Sequence, residues 1–345
     1  MPRTLHRDAL PALARGFSLL GAGGGGSPWL LELVQRDADQ WPVSIHEVAE
    51  LDPATPCLAV AYAGSTLLLA ERVPGLAPFA LGIRAIERWL GYPVPAVCSL
   101  EAAGMNGLAA LPLAADRMFV DADLMGRALP DFDQLSITVD ALPGLVVACP
   151  TGDGGVTLID NARPDDLERM VRTAINCAGG WSGVVVGGFT VGDLAAHGIL
   201  GTHARAQTLG AGYLAAKSSR IDSLAESIGA TVIGSGRIAE LQADRRDPQV
   251  VAIDVRVHDG DVIRIVSRSE LLACLRNGRV EAAAPTIIVA LDALSHQVLL
   301  VHELTVGRHI AVLSLPAPDW WLATEERRAH VTPHRWGLDG LEEHR

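Results

Sequence analysis

The spacing of apolar side chains divides the chain into two kinds of text. Over residues 8–20, Leu10, Leu13, Ala14 and Phe17 recur at helical intervals, which predicts an amphipathic helix. Gly21-Ala-Gly-Gly-Gly-Gly26 follows. Ser27 is a suitable N-cap and Pro28 suits a first helical turn, so a second helix is predicted from about Pro28 to Arg36. Short apolar runs bounded by prolines at 56–63 and 94–100 read as buried strands, with a helix over Phe79–Leu90 between them that stops at Gly91. A helical segment, Gly107–Ala115, then precedes a strand, Arg117–Val120, that delivers Asp121 and Asp123 at its end. Strands alternating with helices describe an α/β layer domain.

Thr151-Gly-Asp-Gly-Gly155 reads as a hairpin turn, and Asn161-Ala-Arg-Pro164 as the break after it. The expected division is therefore an N-terminal α/β domain over 1–164 and a C-terminal, β-rich α+β domain over 165–345. Asp165–Cys177 is predicted helical, with acids near its positive end, and 203–228 largely helical. From Ala230 the pattern changes to β-type runs at 249–257, 261–267, 285–292, 297–304 and 308–315, separated by turns such as His258-Asp-Gly-Asp261. The polar tail after Asp319 is expected to wrap the surface.

Composition narrows the function classes. The 345 residues are 49% hydrophobic and 20% charged, enough for a sizeable core. Net charge is −12, Lys217 is the only lysine, and aromatics are 4%, so neither a basic stripe nor an aromatic platform for nucleic acid is present. Five scattered cysteines form no CxxC pair, and no HExxH or Cys/His ligand set appears, so neither a metal nor another cofactor is expected. The longest uncharged run, Thr173–Gly192, contains six glycines and suits strand and loop better than a membrane helix. A soluble, cytoplasmic protein with a small-molecule substrate is the expectation, with self-association open.

Three segments carry candidate chemistry. Gly23, Gly24, Gly25 and Gly26 expose backbone N–H groups ahead of a helix, where a carboxylate or developing oxyanion is stabilised. Gly21-x-Gly23-x-x-Gly26 also matches the dinucleotide fingerprint, with Glu47 in range for a ribose, although 8–20 reads as helix rather than strand. Glu101-x-x-Gly104-x-Asn106 sits at a predicted strand end: Glu101 is a candidate base, and Asn106 a helix cap or a donor to a carbonyl. Asp121-x-Asp123-x-x-Gly126-Arg127 supplies two further candidate bases and a guanidinium able to anchor an anionic substrate, or a buried ion pair.

Together these segments resemble the S-methyl thiohydantoin desulfurase family, formerly a domain of unknown function associated with hydantoinase and oxoprolinase genes. The resemblance rests on Leu20-Gly-Ala-Gly-Gly-Gly-Gly-Ser-Pro28, Glu101-x-x-Gly-x-Asn106 and Asp121-x-Asp-x-x-Gly-Arg-Ala-x-Pro130. Weaker echoes follow at Leu167-Glu-Arg, Arg172, Ser269-Glu-Leu and Pro316-Ala-Pro. It implies two domains and hydrolysis of an S-methylated thiohydantoin to a hydantoin with release of methanethiol. Glu101, Asp121 or Asp123 would activate water, the Gly23–Gly26 amides would hold the ring, and Arg127 would anchor a carboxylate tail. Ser27 stands where the family has an aspartate, Asp131 where it has a glutamate, and Ser269-Glu270 where it has Asn-Glu. The competing expectations are a dinucleotide-dependent enzyme and a non-catalytic partner of a hydantoinase- or oxoprolinase-like protein.

Overall fold

The computed structural model describes residues 2–341 apart from 72–74, 76, 152, 153, 161, 162, 258 and 259. Parts of three predicted turns, at Gly152-Asp153, Asn161-Ala162 and His258-Asp259, lie outside the described residues. No described helix is long and apolar enough to cross a membrane.

The first half builds β1 (Arg3–Leu5), β2 (Val43–His46), β3 (Pro56–Gly64), β4 (Ala96–Ser99), β5 (Met118–Val120), β6 (Ala122–Asp123), β7 (Val146–Pro150) and β8 (Val156–Asp160). The second half adds β9 (Trp181–Thr190), β10 (Ile199–Leu200) and seven strands from residue 231 onward. Eight strands form one sheet in the order β1-β2-β5-β4-β3-β9-β7-β8. Its centre, β3-β4-β5, is parallel, as α/β alternation requires. β9 pairs antiparallel with β3 on one side and β7 on the other, so a strand from beyond residue 164 lies inside the first domain's sheet. The uncharged run containing it is thus a buried central strand.

Both faces of this sheet are covered. On one side lies α1 (Leu10–Leu20), crossed by the helix Thr202–Ala216. The crossing is close enough that a Cβ at Gly16 would lie 2.7 Å from the Ala206 Cα, and one at Gly210 would lie 2.6 Å from the Ala12 carbonyl carbon. Only glycine admits this approach. The other face packs on the helix Pro164–Cys177, through Leu167, Val171 and Ile175, and on the tail residue Trp321.

The second sheet runs in chain order from β11 (Thr231–Ala243) through β12 (Val251–Val257), β13 (Val262–Ser267), β14 (Leu271–Arg276), β15 (Arg279–Ala283) and β16 (Ile287–Asp292) to β17 (His309–Leu315). In space the order is β15-β14-β13-β12-β11-β17-β16, antiparallel throughout. Strand alternation splits β16 and β17 between two cores. Ile287, Val289, Leu313 and Leu315 pack on the α1 helix layer, while Ile288, Ala290, Ile310 and Val312 fill the second sheet's own interior. The molecule is thus an α/β layer domain joined through shared helices to a β-rich domain.

Several expectations change in detail. Residues 297–304 form no strand: Val298 bridges to Leu291 and a 3-10 turn, Val301–Glu303, follows. The stretch 203–228 is two helices, Thr202–Ala216 and Ile221–Ser227. The tail does more than wrap the surface, since Trp321 is fully buried and donates to the Met125 carbonyl at 2.8 Å. The dinucleotide fingerprint lacks its strand, because α1 runs directly into the glycines and Glu47 caps a short exposed 3-10 turn. That context removes the structural basis for the dinucleotide reading.

Candidate active site

The glycine loop lies at the domain junction and is tied to both halves. The Leu271 N–H donates to the Ala22 carbonyl at 2.8 Å, Val301 N–H to Gly23 at 2.8 Å, and Met105 N–H to Gly25 at 2.9 Å. Gly23, Gly25 and Gly26 adopt positive φ. Their N–H groups make no hydrogen bond within the described residues. The following helix, α2 (Trp29–Arg36), begins with Pro28 at its N-cap; Ser27 is exposed, its hydroxyl accepting only a long 3.4 Å contact from the Trp29 N–H.

The loop borders a cavity of about 390 Å³. Gly23–Gly26 form one wall, Tyr62 and Asn106 another, and Met105, Met125, Leu129 and Phe132 an apolar side; Arg172, Arg268 and His302 also line it. Three acids complete it: Glu101 and Asp131 from the first domain, the latter paired with Arg268, and Glu270 from the second.

Glu101 is buried with Oε1 unpartnered among the described residues. Burial, the neighbouring Glu270 carboxyl and Asp123 push it far above the ordinary carboxylate range, against the opposing pull of the Asn106 amide and the Leu129 N–H. Glu270 accepts from the Ser269 hydroxyl at 2.8 Å. Burial raises it to about 7, the Ser269 hydroxyl and the charges of Arg127 and Arg268 restraining the rise and Asp131 adding to it. A Cβ at Gly25 would lie 3.0 Å from the Glu101 Oε1, and one at Gly24 would lie 2.6 Å from the Glu270 Cγ. The glycines therefore make room for both carboxyls.

Asn106 is not a helix cap, and part of its amide is already committed to β3. Its Oδ1 accepts from the Tyr62 N–H at 2.8 Å and its Nδ2 donates to the Tyr62 carbonyl at 3.0 Å, imitating a strand partner for β3. Asp121 and Asp123 stand outside the cavity wall. Asp121 accepts from the His203 and Ala204 N–H groups at the start of the helix Thr202–Ala216 and pairs with Arg3 at 3.0 Å. Burial raises its carboxyl, but the His203 contacts and Arg3 bring it below the usual range. Asp123 accepts from the N–H of Ala102 (2.6 Å) and Gly126 (3.0 Å) and from the Thr202 hydroxyl (3.1 Å). Burial outweighs these donors and raises it to about 6. Neither aspartate is placed to activate water in the cavity.

Arg127 also lies outside the wall. It is fully buried and its donors are directed at backbone carbonyls, so it presents no face to a substrate. The arginines that do line the cavity are Arg172 and Arg268. Arg172 pairs with Glu168 and donates to the Pro130 carbonyl, and Arg268 pairs with Asp131. Among the described residues no group of three or more His, Cys, Asp and Glu side chains is arranged to hold a metal ion.

Domain models of one family match end to end: the S-Me-THD-like N-terminal domain over residues 8–161 and the S-Me-THD-like C-terminal domain over 162–343. The chain belongs to the S-Me-THD-like family. No curated protein matches the sequence. Among solved structures, a crystal structure of a protein from Chromobacterium violaceum is similar, at 20% identity and a TM-score of 0.82 over 99% of each chain. That likeness shows a common fold.

Sequence reasoning missed Glu270 as a cavity acid and did not place Arg172 and Arg268. Ser269-Glu-Leu and Arg172 were visible as family echoes, but nothing local to those segments indicates that they face Glu101.

Proposed function

We propose that the protein hydrolyses a five-membered cyclic amidine of the S-methyl thiohydantoin type, releasing methanethiol and leaving the hydantoin. One observation carries the reading: two buried carboxyls from different domains, Glu101 and Glu270, border one cavity beside the glycine loop, the Glu101 Oε1 unpartnered among the described residues. At neutral pH Glu101 is an acid able to donate, while Glu270 is close to half ionised and able to accept. The family name points to the same substrate class.

The chemistry closes on these two groups. Glu270 takes a proton from water as the water oxygen bonds to the ring carbon between the nitrogens, and Glu101 gives its proton to the ring nitrogen. The C–S bond of the tetrahedral adduct then breaks. Protonated Glu270 delivers its proton to the departing sulfur, and the Glu101 carboxylate takes the hydroxyl proton as the carbonyl forms. One water is consumed, one methanethiol leaves, and both carboxyls return to their starting states. The N–H groups of Gly25 and Gly26 are available to a ring carbonyl, and the wall of Met105, Met125 and Leu129 suits the methylthio group.

The test is incubation of purified protein with 5-substituted S-methyl thiohydantoins, reading thiol release colorimetrically and hydantoin by mass spectrometry. Release that is abolished in both Glu101→Gln and Glu270→Gln supports the assignment. Protein that binds these rings and leaves them intact refutes it and favours the non-catalytic partner.

A further inference from the structure

Arg127 is a permanent positive charge buried under the site yet withdrawn from the cavity. Nη1 donates to the carbonyls of Pro285 (3.2 Å) and Thr286 (2.8 Å), Nη2 is directed at the Leu271 carbonyl (3.5 Å), and Nε donates to Ala128 (3.0 Å). Three of the four acceptors belong to the second domain, and one is the residue after Glu270. The Leu271 N–H is in turn bonded to Ala22 of the glycine loop. Leu271, the residue next to Glu270, is therefore held on both sides, by the guanidinium at its carbonyl and by the loop at its N–H.

The charges around the two acids differ. Glu270 faces the cations Arg127 and Arg268, together with Asp131, and lies beside Glu101. Glu101 faces two other acids, Glu270 and Asp123, and the Arg127 charge reaches both carboxyls but acts more strongly on Glu270. A buried carboxyl with more acid than cation around it stays neutral. Arg268 is already paired with Asp131, leaving Arg127 as the cation whose hydrogen bonds go to neutral carbonyls.

We propose that Arg127 is a positioning residue for Glu270, clamping the backbone next to it and placing a buried positive charge beneath the acid pair. The inference rests on the acid pair of the proposed hydrolysis and names what makes the pair asymmetric.

The test is read without turnover, so its outcome is independent of whether the hydrolysis reading stands. Protein with 13C-labelled glutamate carboxyls is titrated by NMR, with the Glu270 signal assigned by its loss in Glu270→Gln. In Arg127→Gln the Glu270 midpoint is expected to rise by about one pH unit or more, a roughly tenfold drop in the ratio of ionised to protonated carboxyl. In Arg127→Lys, which keeps the charge but lacks the planar fork that spans these carbonyls, the midpoint is expected to stay near the wild-type value while Tm falls. A folded Arg127→Gln protein with an unmoved midpoint overturns the proposal. If that variant does not fold, Arg127→Lys decides: a rise of about a full unit with the charge in place also overturns it.

Discussion

Glu101, just beyond β4, and Glu270, just before β14, come from different domains and pack against neighbouring glycines of one loop, close enough for Glu270 to help hold Glu101 protonated. The direction of the pH dependence follows. If the proposed hydrolysis runs with Glu270 as base, kcat/KM is expected to rise with pH through about 7, and to fall again only at the higher pH where Glu101 loses its proton. Each of Glu270→Gln and Glu101→Gln is expected to lower kcat/KM by about 10²–10⁴-fold, and Glu270→Gln to remove the acid limb of the profile. Loss of rate in both variants with the acid limb intact would exclude Glu270 as the base.

Gly24 offers a finer test, because it is not one of the left-handed glycines and alanine can adopt its backbone. The three atoms nearest an added methyl all belong to Glu270. Gly24→Ala should fold with nearly wild-type Tm and lose about tenfold or more in kcat through displacement of that carboxyl. An unchanged kcat would place the reacting carboxyl elsewhere.

Asp123 acts on stability. Its folded-state pKa of about 6 is raised above an unfolded value of about 3.9, so its stabilising contribution is complete below the lower value and is lost as pH rises through the upper one. Asp123→Asn turns an amide toward the Ala102 and Gly126 N–H donors and is expected to cost about 2–3 kcal/mol. The gap to wild type should be widest near pH 4 and narrow by pH 7. Denaturant melts at the two pH values would show it, and a gap that widens with pH would contradict the assignment.

Trp321→Ala empties a fully buried position and leaves the Met125 carbonyl without its donor. A loss of about 3–5 kcal/mol is expected. A surface tail would give almost none, so chemical denaturation separates the two.

The legible parts of the sequence were those in which one residue's pattern reports one environment. Leu10, Leu13 and Phe17 reveal α1 because a single face is buried. β9 was readable as strand, but Val184, Val185 and Val186 are buried on both faces and show no alternation that would assign them to a sheet. β14 reads as an apolar run without period for the same reason. Glu101 was found through its strand end. Glu270 was not, because it enters the cavity through the distant Leu271–Ala22 hydrogen bond. Arg127 was misplaced because its carbonyl partners at Pro285 and Thr286 are apparent only after the chain has folded.

The position of β9 also governs how the protein is made. During synthesis β3 and β7 leave the ribosome with facing edges unpaired, and the strand that joins them, ending at Thr190, follows only later. Glu270 comes later still, and Arg335 and Trp336, which contact Asp131 at the cavity wall, follow it. The nascent chain therefore carries an open sheet edge through much of its elongation, the kind of exposed surface that chaperones guard. The cavity therefore stays open until Glu270 and its neighbours have been made, so a chain cut before β14 would lack a finished site.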